Sequence, residues 1–175
     1  NLKKRPLFNP LIIHVNNLEM AYKIAVFNDI SKKIAKHFWP GPLTLILPKK
    51  KNSLIKDFAI AGLETIALRI PNSKVFKKIL KKFSKPIAAP SANPSGYISS
   101  TNARHVFDSF GRKIELIIDS GKSHFGLEST IIDLSKKKLS ITRQGVITPE
   151  VIKKVVGINI EISDNLKKKQ KPISP

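Results

Sequence analysis

Two rhythms of apolar and polar positions alternate along the chain. Short, mostly apolar runs at residues 11–15, 43–47, 65–70 and 87–89 have the length of buried strands, and the first three also their β-branched or leucine content. Elsewhere apolar residues recur three and four positions apart, as in Phe76, Ile79, Leu80 and Phe83. That spacing predicts amphipathic helices over 18–27, 31–38, 73–83, 101–110 and 149–156. Asp29 or Ser31 is the expected cap of the second helix, and Ser100 or Thr101 that of the fourth. Trp39, Pro40, Gly41 and Pro42 stop the second helix, and Pro48 with Lys49, Lys50 and Lys51 closes the strand before it. Three more short strands are expected at 116–119, 129–134 and 139–143. Strands interleaved with helices define an α/β chain, an open sandwich on a twisted sheet, and the closely spaced strands near the end predict some antiparallel pairing.

Composition narrows the class. With 175 residues, 41% of them hydrophobic, the chain is long enough for one soluble domain with its own core. The absence of cysteine excludes a disulfide framework and a thiolate metal site, and no apolar run approaches the roughly 20 residues of a membrane span. A reducing, cytoplasmic setting is the expectation. Asn1 opens the chain and the only methionine, Met20, falls inside a predicted helix, so the sequence reads as a fragment. Residues 1–157 form the expected domain. The lysine- and proline-rich stretch 158–175 reads as a linker or tail toward an absent C-terminal domain.

A net charge of +20 points toward anionic partners, nucleic acid among them. Most of the 32 basic residues are lysines in short runs, the pattern of solvated faces. Against that background the five arginines stand out, because a guanidinium fork fits carboxylate and phosphate in a way that lysine does not. Arg5, Arg69 and Arg143 each sit in a distinctive local sequence.

The densest chemistry lies in the run from Pro86 to Tyr97, where Ser91 and Asn93 are set between Pro90, Pro94 and Gly96. Prolines hold such a loop extended and stiff, which suits a binding site. Four polar segments fall where strands end: Lys3 to Pro6, Glu64 with Leu68 to Pro71, Pro90 to Asn93, and Gly126 to Thr130. In an open α/β sheet such segments converge on one crevice. Two guanidiniums, a lysine pair, hydroxyls and an amide, with no nucleophile–base pair and no metal cluster, suit an anionic substrate and a reaction catalysed by positioning and charge, as phosphoryl or nucleotidyl transfer is. Walker and dinucleotide glycine signatures are absent.

The ordered series KKRP, NPLIIH, HFWPGPLTLIL, TIALRIP, PIAAPSANPSGYIS, GLESTIIDL and ITRQGVIT resembles the YrdC-like family of threonylcarbamoyl-adenylate synthases, from residue 3 to residue 148. The resemblance implies a YrdC-like twisted mixed sheet flanked by helices, with a concave basic active-site crevice. It implies a nucleotidyltransferase that makes threonylcarbamoyl-adenylate and pyrophosphate from L-threonine, bicarbonate and ATP, with Mg²⁺ carried on the nucleotide. A separate tRNA threonylcarbamoyl transferase complex would consume the product. By the same resemblance Lys3 and Arg5 grip bicarbonate and the ATP phosphates. Asn9, Thr65, Ser91, Asn93, Ser99 and Arg143 line the ATP side, and His14, Arg69, Ala89 and Ser129 the threonine pocket. The family also carries, upstream of the KxRP motif, a Pro-Thr-Glu-Thr-like segment that this chain lacks, so the fragment alone is expected to be compromised in catalysis. The alternative from another class is a non-catalytic basic module of the same fold that holds RNA on a concave lysine-rich face.

Overall fold

The structure, a computed structural model, describes residues 2–123, 125–164 and 166. In chain order its strands are β1 (Ile12–His14), β2 (Leu43–Pro48), β3 (Thr65–Arg69), β4 (Ile87–Ala89), β5 (Thr130–Asp133), β6 (Ser140–Arg143) and β7 (Glu161–Ile162). The helices are α1 (Leu18–Ile24), α2 (Asp29–Phe38), α3 (Lys74–Phe83), α4 (Ala103–Phe110) and α5 (Pro149–Val156), with single 3₁₀ turns at Asp57–Ile60 and Gly111–Lys113. The seven strands form one mixed sheet in the order β4-β1-β3-β2-β5-β6-β7. Three pairings are parallel, β1 with β3, β2 with β5, and β6 with β7, and the other three are antiparallel.

The strict alternation of β3 organises the molecule. Ile66 and Leu68 enter the core with Ile13, Leu45, Ile132 and Ile141, while Thr65, Ala67 and Arg69 point to the other, half-buried face. Ile34 and Ala35 of α2 and Ile152 of α5 close the core from its side of the sheet, each fully buried isoleucine contributing about 2–3 kcal/mol. Helices α1 to α4 begin on side-chain caps: the Oδ1 atoms of Asn17, Asn28 and Asn102 accept from Met20 N, Ser31 N and His105 N, and Ser73 Oγ from Phe76 N, whereas α5 starts on Pro149. The caps of α2 and α4 are thus Asn28 and Asn102, each directly before its helix, in place of the serine, threonine and aspartate expected there.

Two further expectations are corrected. Residues 116–119 are not a strand: Leu116 is 73% exposed and Ile118 54%, and no neighbouring strand among the described residues offers them a ladder. The segment assigned to the linker also begins inside the sheet, since β7 pairs with β6 and Ile160 packs on the core. Of that segment, residues 165 and 167–175 lie outside the described residues. Among the described residues no helix is long and apolar enough to cross a membrane.

Candidate functional site

The half-buried face of the sheet carries a crevice of about 240 Å³. Its floor follows from strand register. Ile12 lies opposite Ala67 and Ala89, and His14 opposite Arg69, so alternate residues of three adjacent strands meet on one face. The crevice therefore lies across the sheet face as well as at strand ends. Ser91, Ser99 and Thr101 form one wall, and Glu128, Ser129 and Arg143 the other, with Arg5 at the rim.

The wall at β5 and β6 is a continuous hydrogen-bonded network. The Arg143 guanidinium donates to the Ser129 carbonyl (3.0 Å) and hydroxyl (2.9 Å) and pairs with Glu128 at 2.7 Å. Ser129 shares a buried hydrogen bond of 2.7 Å with Thr44 of β2, and Ser99 Oγ donates to Glu128 at 3.1 Å. The chain from Thr44 to Ser99 thus ties the core of the sheet to the loop before α4. Gly145 presses on it from behind: a Cβ there would lie 2.4 Å from the Glu128 carbonyl and 2.5 Å from Thr130 N, so only glycine fits.

Arg69 is held differently. Its Nε donates to the Gly41 carbonyl at 2.9 Å, and no acceptor among the described residues takes its terminal NH₂ groups. Burial, then the nearby Arg143, push its pKa down; for Arg143 burial and Arg5 act downward and Glu128 upward. Guanidiniums that destabilise one another's charge, with one carboxylate between them, make a site that an anion would relieve.

The proline loop is built around Lys3 and Asn93. Lys3 Nζ donates to the carbonyls of Ser91, at 2.5 Å, and Asn93, and burial and then Arg5 lower its pKa. Asn93 is buried, its Nδ2 donating to the carbonyls of Pro94 (3.0 Å) and Tyr97 (2.8 Å). Arg5 binds Asn9 Oδ1 at 2.8 Å and the Pro10 carbonyl at 2.9 Å. Lys3, Asn9 and Asn93 therefore hold the backbone and the arginine that face the crevice, and none of the three lines it.

His14 lies under Phe76, 5.1 Å between ring centroids, with its Nδ1 buried and unpaired. Burial first, then Arg69, lower its pKa to about 4, so the ring is neutral at pH 7. A histidine depressed in the fold binds fewer protons there than in the unfolded chain between pH 6.5 and about 4. Stability is therefore lost as pH falls through that window, by about 2 kcal/mol between pH 7 and 4.5. Urea unfolding at the two pH values should show this extra loss in the wild type and not in His14→Gln.

The structure brings together Arg5, His14, Arg69, Ala89, Ser91, Ser99, Ser129 and Arg143. Thr65 shares the face of Arg69 but stands about 13 Å along β3 from it, outside the crevice. Glu128 and Thr44 had no role in the sequence reading. Glu128 lay in view inside GLEST, as the acidic residue of a segment expected at the site, whereas nothing local to Thr44 tells that its hydroxyl meets Ser129.

Fold and site together define an α/β domain with an arginine-walled crevice. The chain belongs to the Sua5/YciO/YrdC family, whose model, described as "Telomere recombination", matches residues 1–145. It is 44% identical over 156 residues to the threonylcarbamoyl-AMP synthase of Pyrococcus abyssi, covering 89% of this chain and 45% of that protein. To the threonylcarbamoyl-AMP synthase of Bacillus subtilis it is 39% identical, covering 99% of this chain and 50% of that protein. It superposes on the crystal structure of Pyrococcus abyssi Sua5 complexed with L-threonine with a TM-score of 0.85 at 43% identity, over 91% of this chain and 47% of that one. The chain spans about half the length of these curated relatives.

Proposed function

We propose that the crevice belongs to a threonylcarbamoyl-AMP synthase, acting on L-threonine, bicarbonate and ATP. The observation that carries the reading is the pairing of His14 with Arg69 across β1 and β3, a neutral ring beside a half-buried guanidinium with free terminal donors. The Arg69 fork receives the threonine carboxylate, bidentate, with the His14 ring beside it on the adjacent strand. Ala89 and Ser129 shape the pocket around the side chain. In the reaction the threonine nitrogen bonds to the carbon of bicarbonate, water leaves, and a carbamate results. A carbamate oxygen then attacks the α-phosphorus of ATP while the bond to the bridging oxygen breaks and pyrophosphate departs. Arg5 and Arg143 face the charge that builds on the phosphates, Ser91 and Ser99 supply hydroxyls to the nucleotide, and Lys3, Asn9 and Asn93 hold that wall in place.

Mg²⁺ would screen the triphosphate. Among the described residues the only carboxylate lining the crevice, Glu128, is already paired with Arg143, so the ion would take its ligands from phosphates and water. The product is a mixed anhydride of the kind consumed by a group transferase, here a tRNA threonylcarbamoyl transferase complex, and on this reading the protein works beside that complex in the cytoplasm. Calorimetric titration of the full-length protein tests the pocket. L-threonine should bind about 10- to 200-fold tighter than L-serine, the worth of one methyl contact, and equal binding of the two, or of neither, would contradict the assignment.

A further inference from the structure

A serine hydroxyl accepts through two lone pairs and donates one proton, and at Ser129 the protein itself uses most of that capacity. Arg143 Nη2 lies 2.9 Å from Ser129 Oγ, and a guanidinium can only donate, so Ser129 accepts there. Thr44 Oγ1 lies 2.7 Å from the same atom in a buried contact between two hydroxyls, each with a proton to give. Burial sets its direction. Thr44 is fully buried, and among the described residues Ser129 is the only hydrogen-bond partner of its side chain. Were Ser129 the donor, the Thr44 proton would sit in the core without an acceptor, the costlier arrangement. With Thr44 as the donor, both buried groups are satisfied and both lone pairs of Ser129 are filled. Only the Ser129 proton remains, and Ser129 lines the crevice.

The wall around it is held from several sides. Arg143 grips the Ser129 carbonyl through Nε while Nη2 holds the hydroxyl. The next residue, Thr130, donates its N–H to the Pro42 carbonyl at 3.0 Å, and its side chain both donates to and accepts from the backbone of Ile147. Thr44 itself is fixed in the β2–β5 ladder opposite Ile131. Backbone and lone pairs are thus both constrained, so the remaining proton has one direction.

We propose that Thr44, which lies beneath the crevice and does not line it, is a positioning residue for substrate recognition: it makes Ser129 a donor-only group whose proton takes an acceptor oxygen of the amino acid. The proposal rests on the reading of the crevice as a threonine site. An unconstrained serine hydroxyl accepts as readily as it donates, and so separates an oxygen from an N–H poorly. One whose lone pairs are filled selects for lone pairs. Together with the Arg69 fork, which also only donates, it suits this part of the crevice to the carboxylate and hydroxyl oxygens of threonine.

The test is calorimetric titration of L-threonine, and separately of ATP, into the full-length protein and its Thr44→Val, Thr44→Ser, Ser129→Ala and doubly changed Thr44→Val, Ser129→Ala variants. Packing and recognition rank the Thr44 variants in opposite orders. Valine keeps the volume and loses the hydroxyl, whereas serine keeps the hydroxyl and leaves a methyl-sized gap. Thr44→Val should weaken L-threonine about 3- to 10-fold, the worth of one hydrogen bond, while Thr44→Ser stays within about twofold and ATP binding within about twofold in both. In the double variant Thr44→Val should add nothing to the loss from Ser129→Ala, because the two act through one proton. Wild-type affinity in Thr44→Val, a larger loss in Thr44→Ser than in Thr44→Val, or losses that add in the double variant would each overturn the proposal. L-valine as a competitor, which keeps the carboxylate and the shape of threonine, tells the two oxygens apart: Thr44→Val weakens it too where the acceptor is the carboxylate, and leaves it unchanged where the acceptor is the hydroxyl. A wild type that binds no threonine would remove the reading of the crevice and this proposal with it, whereas the variant outcomes bear on the proposal alone.

Discussion

Arg69→Ala is expected to raise the KM for L-threonine about 10²- to 10³-fold while leaving the KM for ATP within about threefold. The magnitude follows from removing a buried, bidentate, charge-assisted contact, worth about 3–4 kcal/mol when its partner is a carboxylate left without a cation. Arg69→Lys should recover little of the loss, because an ammonium on a flexible stem reproduces the charge and not the fork. Steady-state kinetics with each substrate varied in turn distinguishes this split from a general loss of folded enzyme. A fall in kcat with both KM values unchanged would show that Arg69 serves the fold or the chemical step and not threonine binding.

Gly145→Ala should be nearly as damaging although Gly145 touches no substrate. Its Cβ would need space already taken by the backbone of Glu128, Ser129 and Thr130, none of which can yield without moving the Arg143 network. Overpacking of this kind costs about 1–3 kcal/mol of stability. A displacement of about 1 Å at positioning groups can cost roughly 10²-fold in rate. Thermal unfolding and turnover on the same preparation separate the two: the account expects a variant still folded at 25 °C whose activity has fallen tenfold or more, by about the estimate for misplaced groups. Wild-type activity would mean that the loop absorbs the methyl and that the Arg143 wall is not rigid.

Much of this site could be read from residue types alone. A chain that favours lysine keeps arginine where planar recognition matters, and Arg5, Arg69 and Arg143 do converge. Proline and glycine around Ser91 and Asn93 rightly marked a held loop, but the loop has an inside and an outside: Ser91 faces the crevice while Asn93 turns inward to bind carbonyls. That division depends on backbone path, which composition does not encode. Thr65 shows the same limit in a strand. Period-two alternation correctly puts it on the face of Arg69, yet the reach of the crevice along that face is set by the register of β1, more than 50 residues away in sequence.

Periodicity and pairing did not always agree. Residues 116–119 have a strand's composition and, among the described residues, no edge to join, while 158–163 alternate apolar and polar strictly, a strand signal hidden by the lysine-rich stretch after it, and Glu161 and Ile162 pair with β6.

The central claim, that the Arg69 crevice belongs to a synthase joining threonine, bicarbonate and ATP, is tested most directly by product analysis. The full-length protein is incubated with ATP, L-threonine and ¹³C-bicarbonate, and pyrophosphate and the adenylate are followed by mass spectrometry. The account predicts pyrophosphate release that needs both co-substrates, and an adenylate one mass unit heavier from the bicarbonate carbon. Pyrophosphate released equally without threonine, or an adenylate without the label, would contradict it.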